Sequence, residues 1–359
     1  MKALFNTLYI AWIIGTKDIL EALKNKNIRN NIIIMLVIVV FFYWLGVLRP
    51  FDKGVSVVIY DRGETSIAFE ASTLGNGAKY TFRKAISLQD MEQRMANQSL
   101  GIVLPADLDQ VLASGSTPVL RGYIFWVDRM KAAELEARYS QAFSEILGQP
   151  VQVVIGHNII IPQADADGMQ TTVAYLLVYF IFWAAFFSIP HLMLEEKKTK
   201  TLEALLTSPA SPGQIVLGKA LAGLFYILII GGLSIALFSL FVVDWSLALV
   251  ALLGYALFAI GLALAVGSFI KSAKHLGLWT VVLILFLVIP PLFYTASNLK
   301  PGIRLVLTWF PSSALASLFR FSCSTGVIPS QVWPNLAVVV VSIAAVFGLV
   351  IWQVWRSDR

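Results

Sequence analysis

The chain has 359 residues, of which 58% are hydrophobic and 13% charged, and its mean hydropathy is +0.76. Soluble domains carry about 25% charged residues, so this composition excludes an ordinary soluble protein and predicts an integral membrane protein. The net charge of +6 does not indicate nucleic-acid binding, because the basic residues lie at the ends of apolar runs, and the single cysteine excludes an internal disulfide and a cysteine-based zinc site.

The first 30 residues contain a helical pattern that precedes the first long apolar run. Ile19, Leu20 and Leu23 recur at helical spacing, with Lys17 and Lys24 beside them. An amphipathic helix that lies in the lipid headgroup layer has this pattern, and a simple continuation of the first span is the alternative. We therefore expect residues 1–30 to form a cytosolic or interfacial amphipathic helix.

Six apolar runs are long enough to cross a bilayer, which requires about 20 mostly apolar residues. Lys and Arg concentrate before the first run, after the second, after the fourth and in the tail, all on one side if the runs alternate across the membrane. The positive-inside rule therefore predicts cytosolic N- and C-termini in a multi-pass protein of a prokaryotic cell (inner or plasma) membrane. The predicted spans are residues 31–49, 171–192, 214–242, 247–270, 276–296 and 334–355.

Residues 50–170, between the first two runs, have the composition of a soluble domain. They carry 10 Lys and Arg against 14 Asp and Glu, and they are numerous enough to bury a core. Segments rich in β-branched and aromatic residues alternate with helical patterns, so we predict an external α/β domain. Ser87 is the expected N-cap of its first helix. The predicted strands are residues 55–60, 100–105, 118–126 and 151–156, and the predicted helices are residues 87–99 and 128–148.

The segment LEEKKTKTLEALLTSP, residues 194–209, is the most charged part of the second half of the chain. As a helix it would place Leu202, Leu205 and Leu206 on one face, at the spacings i, i+3 and i+4. Pro209 would end this helix. A leucine face on a short cytosolic helix predicts a contact with a soluble partner, and a surface helix that only closes the loop is the alternative.

The third run begins with a sequence that resembles a nucleotide site. GQIVLGKA, residues 213–220, matches the phosphate-loop pattern except at Ala220, which cannot supply the hydroxyl that binds magnesium. Ser211, Pro212 and Gln214 instead predict a helix start with Ser211 as its N-cap. We therefore predict that this segment binds no nucleotide.

Prolines mark the end of the fifth run and the segment after it. Pro290 and Pro291 should break the fifth span near its outer end. Residues 297–333, which include Pro311, contain the short apolar pieces of a re-entrant segment. We predict that Pro290, Pro291 and Pro311 belong to an outer gate.

In the order and spacing of these motifs, the sequence resembles the permease subunits of type-2 ABC exporters, in the subfamily with a large external domain between the first two spans. Lys200 stands where the family's cytosolic stretch E-x-E-x-G-T-L-E-x-L-L-x-x-P has glycine, and Leu108 stands in the phenylalanine place of the external motif I-x-I-P-x-x-F. The leader before the first span resembles the family's K-E-hydrophobic-hydrophobic leader. The cytosolic stretch and the G-K pair that follows it are matched by Glu196, Thr201, Leu202, Glu203, Leu205, Leu206, Pro209, Gly218 and Lys219.

The resemblance implies a half-transporter of six spans. Two such chains, identical or different, would pair in membrane lipid, and two ABC ATPase subunits would dock beneath them. ATP and magnesium would bind the ATPases, so this chain would itself hold no cofactor. ATPase closure would switch the permease between inward and outward access and export a lipid-like compound, a drug or another amphipathic substrate. The ATPase contact would consist of Glu195, Glu196, Thr201, Leu202, Glu203 and Leu206, whereas no catalytic, substrate-binding or metal-binding residue is predicted.

Three other functions fit parts of the pattern. A membrane receptor or sensor would also have an external ligand domain, but only a few residues follow the last run. An ion-coupled secondary transporter usually buries ionisable groups in its spans, and the interiors of the six runs contain none, with Lys219 near a cytosolic end. A membrane enzyme would need a nucleophile, paired carboxylates or a metal cluster near a membrane face, and the sequence indicates no such group.

Overall fold

The chain divides into two compact units, Met1–Leu45 with Gln170–Arg359, and Gly46–Met169. The computed structural model describes residues 2–24, 26–47, 55–63, 65–66, 69, 72–73, 79–95, 99–164, 169–199, 211–270, 279, 281–285, 287–294 and 300–357.

Two helices open the chain, α1 (Lys2–Lys24) and α2 (Lys26–Val47). α1 begins well before the amphipathic pattern that the sequence showed around Lys17. α2 carries the first apolar run and packs on later helices through two aromatic pairs. The ring centroids are 5.8 Å apart for Phe42 and Phe180 and 6.2 Å apart for Tyr43 and Phe238.

The second unit contains a mixed β-sheet. The elements are β1 (Val55–Asp61), β2 (Ser72–Thr73), β3 (Lys79–Ala85), α3 (Leu88–Arg94), β4 (Ser99–Leu104), α4 (Leu108–Ala113), β5 (Val119–Phe125), α5 (Ala132–Leu147), β6 (Gln152–Val154) and β7 (Ile159–Ile160). The strand order is β2-β3-β1-β4-β5-β6, and the central strand β1 is parallel to both of its neighbours. β5 is antiparallel to β4 and parallel to β6 and β7.

Helices cover both faces of this sheet. Successive residues of a strand point to opposite sides, so neighbouring residues of β1 pack against different helices. Val57 and Ile59 of β1 belong to one buried cluster with Phe143 of α5. Val58, between them, belongs to a second cluster with Met91 of α3. The unit therefore has three layers, with its core divided between the two faces of the sheet.

The predicted N-cap of α3 is confirmed, since the Ser87 side chain accepts a hydrogen bond of 3.0 Å from the Asp90 backbone N–H. The four predicted strands correspond to β1, β4, β5 and β6, and the two predicted helices to α3 and α5. The sequence analysis did not predict β2, β3, β7 or α4. The unit lies close to the interval 50–170 that was assigned to the external domain, and its side of the membrane stays a prediction.

Seven further helices follow in the described part of the chain. Among the described residues, three helices are long and apolar enough to cross a membrane, namely Gly213–Leu237, Trp245–Phe269 and Pro329–Arg356. The pair Pro301–Thr308 and Pro311–Ser322, bent by 89°, would form a fourth span if it crosses as one. Shorter apolar helices, Arg29–Trp44, Gln170–Phe186 and Val281–Phe293, lie in the first, second and fifth predicted spans. Six spans therefore stay a prediction. The helices are α6 (Met169–Thr199), α7 (Pro212–Leu237), α8 (Trp245–Phe269), α9 (Ile289–Tyr294), α10 (Pro301–Thr308), α11 (Pro311–Ser322) and α12 (Pro329–Ser357).

Close approaches at glycines fix the directions of three long helices. α7 runs antiparallel to α8, and α8 runs parallel to α12, which is the order that alternating third, fourth and sixth spans require. The contacts that fix these directions are Gly223 with Ile260, Gly231 with Leu252, Gly254 with Val339 and Gly261 with Phe347.

Candidate functional site

α6 continues beyond the second predicted span into the segment that was predicted to contact a partner. Its backbone is helical from Met169 to Thr199, so Glu195 and Glu196 lie near the end of one long helix that has no break at residue 194. A helical backbone satisfies its own hydrogen bonds and need not end where the apolar run ends. The remaining predicted contact residues lie outside the described part of the chain: Thr201, Leu202, Glu203 and Leu206.

The chain enters α7 through a capping box, which confirms the predicted helix start. The Ser211 hydroxyl accepts from the Gln214 backbone N–H at 3.4 Å, and the Gln214 side chain accepts from the Ser211 N–H at 2.8 Å. Pro212 occupies the first turn. This box satisfies two of the N–H groups that a helix start leaves open, and it fixes the point where α7 begins after the charged segment.

α1 packs along the first half of α7, and the two helices run in the same direction. Gln214 Nε2 donates to Thr7 Oγ1 at 3.3 Å, and 12 residues further along each helix the Tyr226 hydroxyl donates to the Ile19 carbonyl at 2.9 Å. Between these bonds, Gly218 brings the two backbones together. A Cβ on Gly218 would lie 2.7 Å from the Cβ of Ile14.

A buried ion pair lies in this interface. Lys219 Nζ is 3.3 Å from Asp18 Oδ2, and the two side chains are 1% and 3% exposed. The phosphate-loop resemblance at residues 213–220 therefore has a structural explanation. The segment is the first part of an α-helix, in which Gly218 permits packing against α1 and Lys219 pairs with a carboxylate.

The sequence analysis missed this pair. Lys219 was assigned to a cytosolic helix end, although a lysine inside an apolar helix by itself predicts a buried partner of opposite charge. The partner could not be identified, because Asp18 is 201 residues away in the chain and its own segment was expected at the membrane surface.

Gly218→Val is expected to destabilise the protein by about 1–3 kcal/mol, the usual cost of forcing extra methyl groups into a packed interface. The added atoms would meet the Cβ of Ile14 and the carbonyl oxygen of Ala11, at 2.7 and 2.9 Å from the new Cβ. Neither atom is the end of a flexible side chain, so α1 must move. The melting temperature of the purified protein should fall.

The matched control is Gly232→Val on the same helix, because a Cβ on Gly232 would meet no atom within 4 Å. Both substitutions place a β-branched residue in α7, so only the difference between them reports the contact with α1. Equal melting temperatures for the two variants would contradict this packing.

The end of α11, within the segment that was predicted to be re-entrant, lies beside the turn between α7 and α8. The backbone N–H groups of Val243 and Asp244, in the turn between these helices, both donate to the Ser322 carbonyl at the end of α11 at 2.9 Å. α10 and α11 are bent by 89°. Pro311 occupies the first turn of α11, where the missing N–H costs nothing. A gating role stays a prediction.

Pro290 and Pro291 lie in the short helix α9. Before them, Val288 lies in a turn but still donates a helical hydrogen bond of 2.9 Å to the Ile284 carbonyl. The two prolines themselves cannot donate the backbone hydrogen bonds of a continuous helix, and a break of the fifth span at this point stays a prediction.

A sequence model of the family described as ABC-2 family transporter protein matches residues 31–352, which is most of the chain. A search among curated proteins finds no match. Within the described residues, no group of three His, Cys, Asp or Glu side chains could hold a metal ion.

Proposed function

We propose that this chain, which belongs to the family of ABC-2 transporter proteins, is the permease subunit of an ATP-driven exporter. Membership of this family makes it in general the membrane part of an ABC transporter, and implies an ABC ATPase as its partner. The observation that carries the proposal is the extent of the family match, which includes the apolar helices and the charged segment between α6 and α7.

The finer parts of the proposal concern the assembly. Two permease chains, identical or different, pair in the membrane, and two ATPase subunits bind ATP and magnesium beneath them. Residues 194–209 contact the ATPase. Support for this contact comes from the ends of the flanking helices, since α6 reaches Thr199 and α7 begins with the capping box at Ser211. A push on residues 200–210 would thus be delivered directly to two long helices.

Export of an amphipathic compound is the proposed transport reaction. Its direction rests on the resemblance to exporters that have an external domain between the first two spans. An apolar or amphipathic substrate is supported by the helices themselves, because Lys219 is neutralised by Asp18 in the part of α7 that lies among apolar residues. A permease whose membrane helices carry few uncompensated charges is suited to transport lipid-like molecules and drugs.

The test is isolation of the tagged chain in mild detergent, followed by native mass spectrometry. We expect an assembly of two permease chains and two copies of a protein that carries a Walker A motif. If the chain is isolated without any nucleotide-binding protein, from cells shown to produce ABC ATPases, the proposal is contradicted.

The side of the membrane on which the sheet unit lies gives a separate prediction. Single cysteines at Gln89 and Ala133, both exposed in the sheet unit, should react with a membrane-impermeant maleimide in intact cells if this unit is outside. A cysteine at Arg356, exposed near the end of α12, should react only after the cells are opened. These variants are made in a Cys323→Ser background, and labelling of Arg356→Cys in intact cells would reverse the proposed topology.

A further inference from the structure

The Asp18–Lys219 ion pair is more deeply buried than is needed simply to hold α1 and α7 together. Both side chains are almost fully removed from solvent, and such burial costs each charge its hydration. Apolar residues of similar size often hold two helices together equally well or better. A buried pair is instead suited to fixing one arrangement of two elements among several that apolar contacts would permit.

The two hydrogen bonds of this interface, from Gln214 to Thr7 and from Tyr226 to Ile19, also depend on the register, but each costs less to lose than a buried charge costs when it is left without its partner. The apolar surfaces around the pair would tolerate sliding. α1 presents Ala11 and Ile14 to α7, and both helices have a glycine at their closest approach. Contacts between small and aliphatic residues can be made again after a shift of one helical turn, about 5.4 Å. The ion pair cannot, because such a shift leaves Lys219 buried away from the Asp18 carboxylate.

The position of the pair in the chain gives this register a consequence. α7 starts at Pro212, two positions after residues 200–210, and in the sequence one residue lies between the end of α1 and the start of α2. Ile32 of α2 packs on the same Ala222 and Tyr226 as Ile19 of α1. A displacement of the base of α7 therefore reaches the first predicted span through α1, provided that α1 does not slide.

We propose that Asp18 and Lys219 are positioning residues that lock the register of α1 on α7, so that the two helices move as one body when the ATPase displaces the segment before α7. The movement in this proposal rests on the proposed function, whereas the register itself does not. The competing explanation is that the pair only adds stability to the fold.

Two double variants separate these explanations. Asp18→Leu with Lys219→Met replaces the pair by apolar side chains and should keep the helices packed. Asp18→Lys with Lys219→Asp restores a pair of reversed polarity. Glu21→Gln is the matched control, because Glu21 is an exposed carboxylate on the same helix that pairs with Lys17. The single variant Asp18→Asn strands a buried lysine and is expected to reduce the yield of folded protein.

The measurement is the distance between spin labels on cysteines at Phe5 and Ile229, two exposed positions on α1 and α7. They lie far apart along the common direction of the helices, so a slip of one turn should change their distance by about 5 Å. The purified chain is measured alone, and the complex is measured without nucleotide and after trapping with ATP and vanadate.

In the otherwise unaltered protein, in Glu21→Gln and in the charge-reversed variant we expect one narrow distance that trapping does not change. In the apolar variant we expect an unchanged melting temperature but a second population shifted by about one turn. A single unshifted distance in the apolar variant would overturn the register lock, and a distance that changes on trapping in the unaltered protein would overturn the one-body movement. Failure of the ATPase to bind would count against the proposed function, and the distances in the isolated chain would still test the register.

Discussion

Leu206→Asp is expected to abolish stable association with the ATPase while leaving the permease folded in the membrane. Leu206 would share one helix face with Leu202 and Leu205, and such a patch on a charged helix indicates a covered surface. Burying one leucine side chain contributes about 1.5–3 kcal/mol, and a buried unpaired carboxylate costs more. A loss of about 2.8 kcal/mol corresponds to an affinity about 100-fold weaker, which quantitative pull-down with purified ATPase would measure.

Ala204→Asp is the matched control, because it introduces the same charge on a different face of the predicted helix. It should bind the ATPase nearly normally. Glu203→Lys should weaken binding less than Leu206→Asp, since charges at the rim of an interface contribute less than buried anchors. If Leu206→Asp lowers the melting temperature of the isolated permease and its folded fraction binds the ATPase normally, the leucines pack on this chain's own helices instead.

The sheet unit illustrates what a sequence can and cannot specify. β1, β4, β5 and β6 were predictable because each lies in a segment rich in β-branched and aromatic residues. β3 was not, since in KYTFRKA only Tyr80 and Ala85 are fully buried and three basic side chains interrupt the alternation. Its strand conformation comes from pairing with β1, and a partner 25 residues away in the chain leaves no local pattern in the sequence.

The helical unit shows the same limit at longer range. The capping box at Ser211 was predictable because all of its hydrogen bonds lie within four residues. The packing of α1 on α7 was not predictable, because it depends on the contact of Gly218 with Ile14 and on the ion pair of Lys219 with Asp18, which are distant in the sequence. The six apolar runs predicted helices, but not that α6 would stay helical to Thr199.

The purified chain without an ATPase should neither bind nor hydrolyse ATP. The segment GQIVLGKA, residues 213–220, forms the start of α7, whereas a phosphate loop needs backbone N–H groups that are free to face the phosphates. The lysine of this segment already pairs with Asp18. Restoring the missing hydroxyl with Ala220→Ser should therefore create no nucleotide site, and equilibrium binding of a fluorescent ATP analogue would measure this.

ATP hydrolysis in lipid nanodiscs tests the central claim most directly, namely that this chain is the permease of a transporter whose energy comes from a separate ATPase. Hydrolysis is compared for the chain alone, for the chain with its ATPase, and for the chain with an ATPase whose Walker A lysine is replaced. The account predicts hydrolysis only in the second preparation. Saturable hydrolysis by the chain alone, unchanged after every ATPase subunit has been removed, would contradict it.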